Sequence, residues 1–199
     1  MPTYKLTYFN LKGRAELSRY IFAYGDIKYE DQRVDQAEWA KIKPTLPFKQ
    51  VPVLEVDGKI LSQSFAIARF LAREAGVAGK TSLEQAQADM LVDTIFEPVV
   101  LVPWREQDEA VKKEKIEKMF KDTVPGWLAN LEAYLGDSTW FVGDSVTWAD
   151  FQWHIASVVL DTLKPGFLKG YGKLEALRDR VGALPKIAAY LKARPVTPM

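Results

Sequence analysis

The sequence predicts an α/β unit with a mixed sheet, followed by an all-helical domain. Residues 1–76 alternate short β-rich runs with helical patterns in the order βαβαββα. A Gly-rich connector, GVAGKT, comes next, and beyond it apolar residues recur only at helical spacing. We therefore expect domains at 1–76 and 82–199, joined by a linker at 77–81.

The first domain has the layout of a thioredoxin-like unit, a βαβ followed by a hairpin and a last helix. Asp57-Gly58 is the strongest local signal, because this dipeptide favours a two-residue hairpin turn. Gly25 ends the first helical pattern. The predicted elements are strands at 4–9, 27–34, 53–56 and 59–61, and helices at 15–24, 36–42 and 64–75.

The second domain is predicted from helical periodicity and from one start signal. Thr147 and Asp150 have the spacing of a capping box, so a helix should begin there, and Asp150 should be structural rather than catalytic. Pro125 lies inside the apolar pattern of one predicted helix, and Pro185 breaks another. The predicted helices are at 90–102, at 116–135, from 148 to about 163, and one or two at 173–193.

Composition excludes several classes of function. The 199 residues carry 27 Lys and Arg against 26 Asp and Glu, a net charge of +1, so no nucleic-acid partner is indicated. Cysteine is absent, which excludes disulfides, thiolate metal sites and a cysteine nucleophile. No apolar run has membrane length and the N-terminus has no signal-peptide pattern, so we expect a cytoplasmic protein that does not bind membranes.

The stretch QVPVLEVDGKILSQSF, residues 50–65, is the first candidate for a binding site. Pro52 cannot donate to a strand ladder, so it ends the strand or leaves a neighbouring backbone edge free. Ser64 occupies the expected N-cap of the next helix; most such serines are only caps, but a helix N-terminus also binds anions. Together these features suit an acidic, peptide-like small molecule.

Tyr8 is at the end of the first strand, where a thioredoxin-like unit places its chemistry, and Arg14 opens the helix that follows. Without family information, a tyrosine at a strand end is usually core packing, and Arg14 is a surface ion-pair residue. Because a thioredoxin-like unit without cysteine cannot exchange dithiols, sulfur chemistry would need a thiol supplied by the substrate.

Motifs along the whole chain resemble the sigma class of glutathione transferases. The matching pieces are YFNxxGRAE at 8–16, QVP at 50–52, Gln63-Ser64 and SxTxAD at 145–150. The resemblance implies the glutathione transferase fold, glutathione as the cofactor and a homodimer. It also implies that Tyr8 stabilises the glutathione thiolate and that Arg14 tunes Tyr8.

The same resemblance assigns two sets of binding residues. Glutathione would be held by Trp39, Lys43, Gln50, Val51, Pro52 (through a cis peptide bond), Gln63 and Ser64, and by Glu97 toward the partner's ligand. The second substrate would contact Phe9, Leu11, Gly13, Val99, Trp104, Gln152 and Met199. From the residues alone, each of these side chains is equally well explained as core, cap or solvated surface.

Three functions stay open from the sequence. The first is conjugation of glutathione to electrophiles. The second is glutathione-dependent isomerisation of a prostaglandin endoperoxide, although Val99, Gln152 and Ala156 differ from the residues of class members with that activity. The third is a non-catalytic binding or crystallin role. We expect no metal, because Phe96 stands within the acidic group of Asp93 and Glu97.

Overall fold

The computed structural model describes residues 2–197, and their contacts form two compact units. We call the described residues up to Ala78, together with those from Pro185 onward, the N-terminal unit. The helical unit comprises Gly79–Leu184. Each of the two has its own buried core.

The strands and helices follow the predicted order closely. They are β1 Tyr4–Phe9, α1 Glu16–Tyr24, β2 Glu30–Val34, α2 Gln36–Ile42, β3 Val53–Val56, β4 Lys59–Ser62, α3 Ser64–Glu74, α4 Ser82–Leu101, α5 Glu109–Asp122, α6 Val124–Leu135, α7 Trp148–Leu163, α8 Gly172–Gly182 and α9 Pro185–Ala193. Short 3-10 turns occupy Gly13–Ala15 and Lys43–Thr45. No helix found in residues 2–197 combines the length and the apolar character needed to cross a membrane.

The sheet of the N-terminal unit is mixed, as predicted. Its order is β2-β1-β3-β4; β1 and β2 are parallel, and the other two pairs are antiparallel. The hairpin between β3 and β4 turns at Asp57 and Gly58, whose φ angles of 47° and 80° are both left-handed. A two-residue turn of this kind matches the twist of the paired strands.

Helix α9 belongs to the N-terminal unit, although we expected the helical domain to run over 82–199. It packs against α1. The rings of Tyr20 and Tyr190 meet edge to face at 5.5 Å, and the Lys186 ammonium lies 2.5 Å from the Asp26 carboxylate. Amphipathic spacing shows that a helix buries one face but does not say which element covers it, so the predicted boundary misplaced α9.

The helix predicted at 116–135 is two helices, α5 and α6. Thr123 separates them, and Pro125 lies in the first turn of α6. Proline has no N–H and fits this position, where backbone N–H groups lack intrahelical partners in any case. The apolar pattern continued across the break, which is why the sequence alone indicated one helix.

Helix α4 contains Pro98, and a tryptophan compensates for the missing hydrogen bond. Proline at this position cannot donate to the carbonyl of Thr94, four residues earlier. The indole N–H of Trp127 on α6 donates to that carbonyl at 3.0 Å. A side chain of α6 therefore satisfies a backbone acceptor inside α4.

The same arrangement recurs at the end of α4. Val99 lies in the last turn, where carbonyls lack intrahelical partners, and Pro103, four residues on, has no N–H to offer. The indole N–H of Trp104 donates to the Val99 carbonyl at 3.2 Å. This bond fixes one edge of an indole that is 45% exposed.

The capping box predicted at the start of α7 is confirmed. The carboxylate of Asp150 accepts hydrogen bonds from the Thr147 N–H at 2.8 Å, the Thr147 hydroxyl at 3.2 Å and the Phe141 N–H at 3.0 Å. Burial raises the pKa of Asp150 to about 6, and these hydrogen bonds oppose the rise. All its described hydrogen bonds join parts of the helical unit, which fits a structural role.

The compensation between Pro98 and Trp127 is testable with a double-mutant cycle. W127F leaves the Thr94 carbonyl without its donor, so it should cost about 1–3 kcal/mol of unfolding free energy beyond the lost ring volume. In a P98A background the backbone regains an N–H for that carbonyl, and the cost of W127F should fall by about 1 kcal/mol. Urea unfolding of the four proteins measures the difference.

W104F is the matched control for this cycle, because Trp104 donates to a different carbonyl of α4. Its effect on unfolding should be the same with and without P98A. Equal costs of W127F in both backgrounds would show that the indole does not compensate for the proline.

Candidate functional site

The register of the sheet brings three of the predicted site residues to the same end of the sheet. Thr7 on β1 pairs with Val53 on β3, and Val53 pairs with Ser62 on β4, so these three residues form one row. Because both pairings are antiparallel, one further step on each strand leads to the same end of the sheet. The residues at this next step are Tyr8, Pro52 and Gln63.

Tyr8 is buried to 8% exposure, and its hydroxyl has a defined partner. The backbone N–H of Arg14 donates to the phenolic oxygen across 3.2 Å. The hydroxyl therefore uses a lone pair as acceptor there, and its own proton is available to another group. Arg14 was predicted to tune Tyr8 as a cation, and the described contact comes from its backbone.

Gly13 makes this approach possible. Its φ of +43° is left-handed, and a Cβ at this position would lie 2.7 Å from the Tyr8 hydroxyl and 2.6 Å from the side chain of Leu11. A larger residue would push the loop away from the ring. Gly13 and Leu11, which we predicted as second-substrate contacts, are therefore also packed beside Tyr8.

Arg19 is a residue that the sequence reasoning missed. It lies on α1 with no exposed surface, and it donates to the carbonyl of Leu11 at 2.9 Å. The available signal was its position three residues after Glu16, on a face of α1 that is otherwise apolar. A charged pair at this spacing on a buried face requires mutual compensation.

Phe9, Trp39 and Lys43 form a connected group beside Tyr8. The Phe9 ring lies 5.7 Å from Tyr8 and 5.4 Å from Trp39, centroid to centroid. The Lys43 ammonium is 5.8 Å from the centre of the Trp39 ring, within cation–π range, and the lysine is exposed. The group combines a cation with an indole N–H, which are donors suited to a carboxylate.

Residues 50–52 immediately precede β3 and are not paired in the sheet. The Val51-Pro52 peptide bond is cis, as the resemblance implied. Pro52 is buried and Val51 half-buried, whereas Gln50 is exposed. The ladder begins only at Val53, so the backbone of Val51 lies beyond the paired strands.

Helix α3 starts one residue differently from the prediction. Ser64 is its first residue, so the N-cap is Gln63 and not Ser64. Gln63 has a left-handed φ of 74°, and its side chain makes no capping hydrogen bond. The first N–H groups of α3 therefore lack the side-chain cap that Asp35 gives α2, and Ser64, 8% exposed, adds a hydroxyl there.

The other predicted second-substrate residues lie in the helical unit or outside the described chain. Val99 and Trp104 are joined by the hydrogen bond at the end of α4, and Gln152 is buried at 3% exposure on α7, which packs against α4. Met199 lies outside the described residues.

Two acidic residues of α4 belong to the group that we considered for metal binding. Asp93 and Glu97 are exposed, with Phe96 between them. Within residues 2–197, no group of three or more His, Cys, Asp or Glu side chains is arranged to hold a metal ion. Glu97 is accessible on the chain considered alone.

Two family models match this chain. The model described as the glutathione S-transferase N-terminal domain covers residues 4–73, and the one described as the C-terminal domain covers 93–194. These matches span most of the chain.

Relatives that match over nearly the whole of both chains indicate the same family. Hematopoietic prostaglandin D synthase of Gallus gallus is 55% identical over 99% of both chains, and S-crystallin SL11 of Nototodarus sloanii is 41% identical over 98% of both. The structure of rat hPGDS complexed with a quinoline matches with a TM-score of 0.93 and 51% identity, covering 99% of this chain and 100% of that one. The chain belongs to the glutathione S-transferase family, within its sigma class.

Proposed function

We propose that this glutathione S-transferase holds glutathione as the thiolate through the hydroxyl of Tyr8. The observation that supports the proposal is the Arg14 N–H on the phenolic oxygen, which leaves the hydroxyl proton for the sulfur. A phenol that accepts one hydrogen bond becomes a stronger donor in the next. When bound, glutathione supplies a thiolate that attacks an electrophilic carbon or a peroxide oxygen.

The energetics of this role are reasonable. A free thiol has a pKa of about 8.5, so only a few per cent is ionised near neutral pH. Lowering that pKa by about two units requires roughly 2.7 kcal/mol in favour of the anion. One hydrogen bond to a charged group contributes about 1.5–3 kcal/mol, so Tyr8 alone supplies most of this amount.

The family resemblance assigns the other parts of glutathione to residues of this unit, and charge and backbone chemistry agree with that assignment. Its γ-glutamyl carboxylate fits the N-terminus of α3, with Ser64 and Gln63 as side-chain donors. Its glycyl carboxylate fits Lys43 and Trp39, with Gln50 beside them. The backbone of Val51, ahead of the cis bond to Pro52, would pair with the cysteinyl part as a short strand addition.

We include a homodimer and a cytoplasmic location in the proposal. Helix α4 exposes Leu83 at 68% and Met90 at 48%, which suits burial against a second copy. In such a dimer Glu97 would bind the amine of the partner's glutathione.

Light scattering should give twice the chain mass of 22.5 kDa, and a monomer mass at assay concentrations would contradict the dimer.

Isomerisation of a prostaglandin endoperoxide to the D-type product is the second function we propose. Identity of 55% to a protein named hematopoietic prostaglandin D synthase, over 99% of both chains, favours it. Val99 and Gln152 would shape the second-substrate site differently from the residues we expect in isomerases. The S-crystallin relative, at 41% identity, supports a non-catalytic role less strongly, because the surroundings of Tyr8 suit thiolate binding.

Tyr8→Phe tests the thiolate role. We expect kcat for conjugation of a chloronitrobenzene to fall by about 10- to 100-fold, since the hydrogen bond to a charged sulfur is lost. The thiol pKa of bound glutathione, read from thiolate absorbance, should rise by one to two units. Binding to immobilised glutathione should persist. Unchanged turnover and thiol pKa would remove Tyr8 from this role.

A product assay on the prostaglandin endoperoxide tests the second function. The wild-type protein with glutathione should form the D-type product faster than glutathione alone, and Y8F should lose most of that rate. Conjugation with no acceleration of D-product formation would leave only the transferase function. Glutathione retention without turnover of either substrate would support the crystallin-like alternative.

A further inference from the structure

The buried guanidinium of Arg19 donates hydrogen bonds to the loop between β1 and α1. Arg19 has no exposed surface, and its Nη1 donates to the carbonyl of Leu11 at 2.9 Å and to that of Lys12 at 3.4 Å. These two carbonyls immediately precede Gly13 and Arg14. The guanidinium therefore fixes the segment that carries the Arg14 N–H to Tyr8.

Two carboxylates compensate the charge of Arg19. Glu16, 2% exposed, contacts Nη1 at 3.4 Å, and Asp31 on β2 contacts Nε at 3.2 Å. Asp31 also pairs with Arg33 at 2.9 Å, and Arg33 donates to the side chain of Asn10 at 3.2 Å. The bond to Asn10 holds the same loop at a second point. The two carboxylates are the partners that a buried cation such as Arg19 needs.

Helix α9 and the residue after it complete the cluster from the far end of the chain. Nη1 of Arg194 lies 2.5 Å from Oε1 of Glu16, and the Tyr190 hydroxyl donates to the same oxygen at 3.0 Å. Glu16 uses its other oxygen for Arg19. One carboxylate therefore links the end of α9 to the arginine that holds the loop.

We propose that Glu16, Arg19 and Arg194 form a positioning cluster that keeps the Arg14 N–H on the Tyr8 hydroxyl. The proposal rests on the proposed role of Tyr8 in binding the thiolate. None of the three residues touches the reacting sulfur in this scheme. They act on the thiolate through the loop carbonyls, the Arg14 N–H and the phenolic oxygen.

Lys186 offers a way to test the docking of α9 separately from the positioning of the loop. It binds the Tyr24 carbonyl at 2.9 Å and the Asp26 carboxylate at 2.5 Å, at the end of α1 away from the loop. Lys186 and Arg194 are both cations of the α9 segment, and both contact α1 or the residues next to it. Only Arg194 is linked to the loop, which makes Lys186 the matched control.

The experiment compares R194M, R194K and K186M in the full chain with glutathione bound. R194M should raise the thiol pKa of bound glutathione by about half a unit or more, the size expected for weakening one hydrogen bond to the sulfur. Its kcat should fall several-fold at neutral pH while the KM for glutathione stays within about twofold. R194K should recover most of both values, and K186M should match the wild type.

Several outcomes would overturn the proposal. One is a folded R194M with wild-type thiol pKa and kcat. Another is a loss of melting temperature in R194M and K186M alike, with no change in thiol pKa, which would show a purely structural role. If R194M does not fold, Y190F replaces it, because it removes one hydroxyl from Glu16 and keeps every charge; an unchanged thiol pKa there would also overturn the proposal.

Y8F separates this proposal from the one on which it rests. If Y8F leaves the thiol pKa unchanged, the role of Tyr8 itself fails. If Y8F raises the pKa while R194M and Y190F do not, only the positioning cluster fails.

Discussion

The pairing of Thr7 with Val53, and of Val53 with Ser62, is the constraint on which the candidate site depends. It brings three segments that are distant in sequence to one end of the sheet: the phenol near the end of β1, the cis peptide before β3 and the helix start after β4. A slip of one residue would turn Tyr8 to the opposite face of the sheet. Leu6 and Tyr8 on one face of β1 and Thr7 on the other are all buried, so a slip would remove each of them from its packed position.

Much of the binding chemistry proposed for this unit would use backbone groups that the strands and helices leave outside their own hydrogen bonds. The Arg14 N–H lies in the 3-10 turn after β1, the first N–H groups of α3 lack a side-chain cap, and Val51 lies outside the ladder. Such groups impose few side-chain requirements of their own. This explains why each sequence motif of the site is short, while their order and spacing carry the information.

Local sequence signals predicted most strands and helices, whereas the tertiary contacts between them were harder to predict. The bounds of β1 and α2, the Asp57-Gly58 hairpin and the Thr147–Asp150 capping box follow from short-range chemistry and match the structure. The break before Pro125 was missed because the apolar pattern runs through it. The partner of α9 was missed because amphipathic spacing does not identify the surface that covers a helix. Arg19 looked like an ordinary helical charge, since its burial is a tertiary property.

The N-terminal unit is built from two chain segments with the whole of Gly79–Leu184 between them. Domains of a growing chain generally fold in the order in which they are synthesised. Here β1 is synthesised before the helical unit, whereas Arg194, a partner of Glu16, is synthesised after it. The helical unit can therefore complete its contacts before the thioredoxin-like unit does, and until Arg194 is synthesised the buried carboxylate of Glu16 lacks one of its cations.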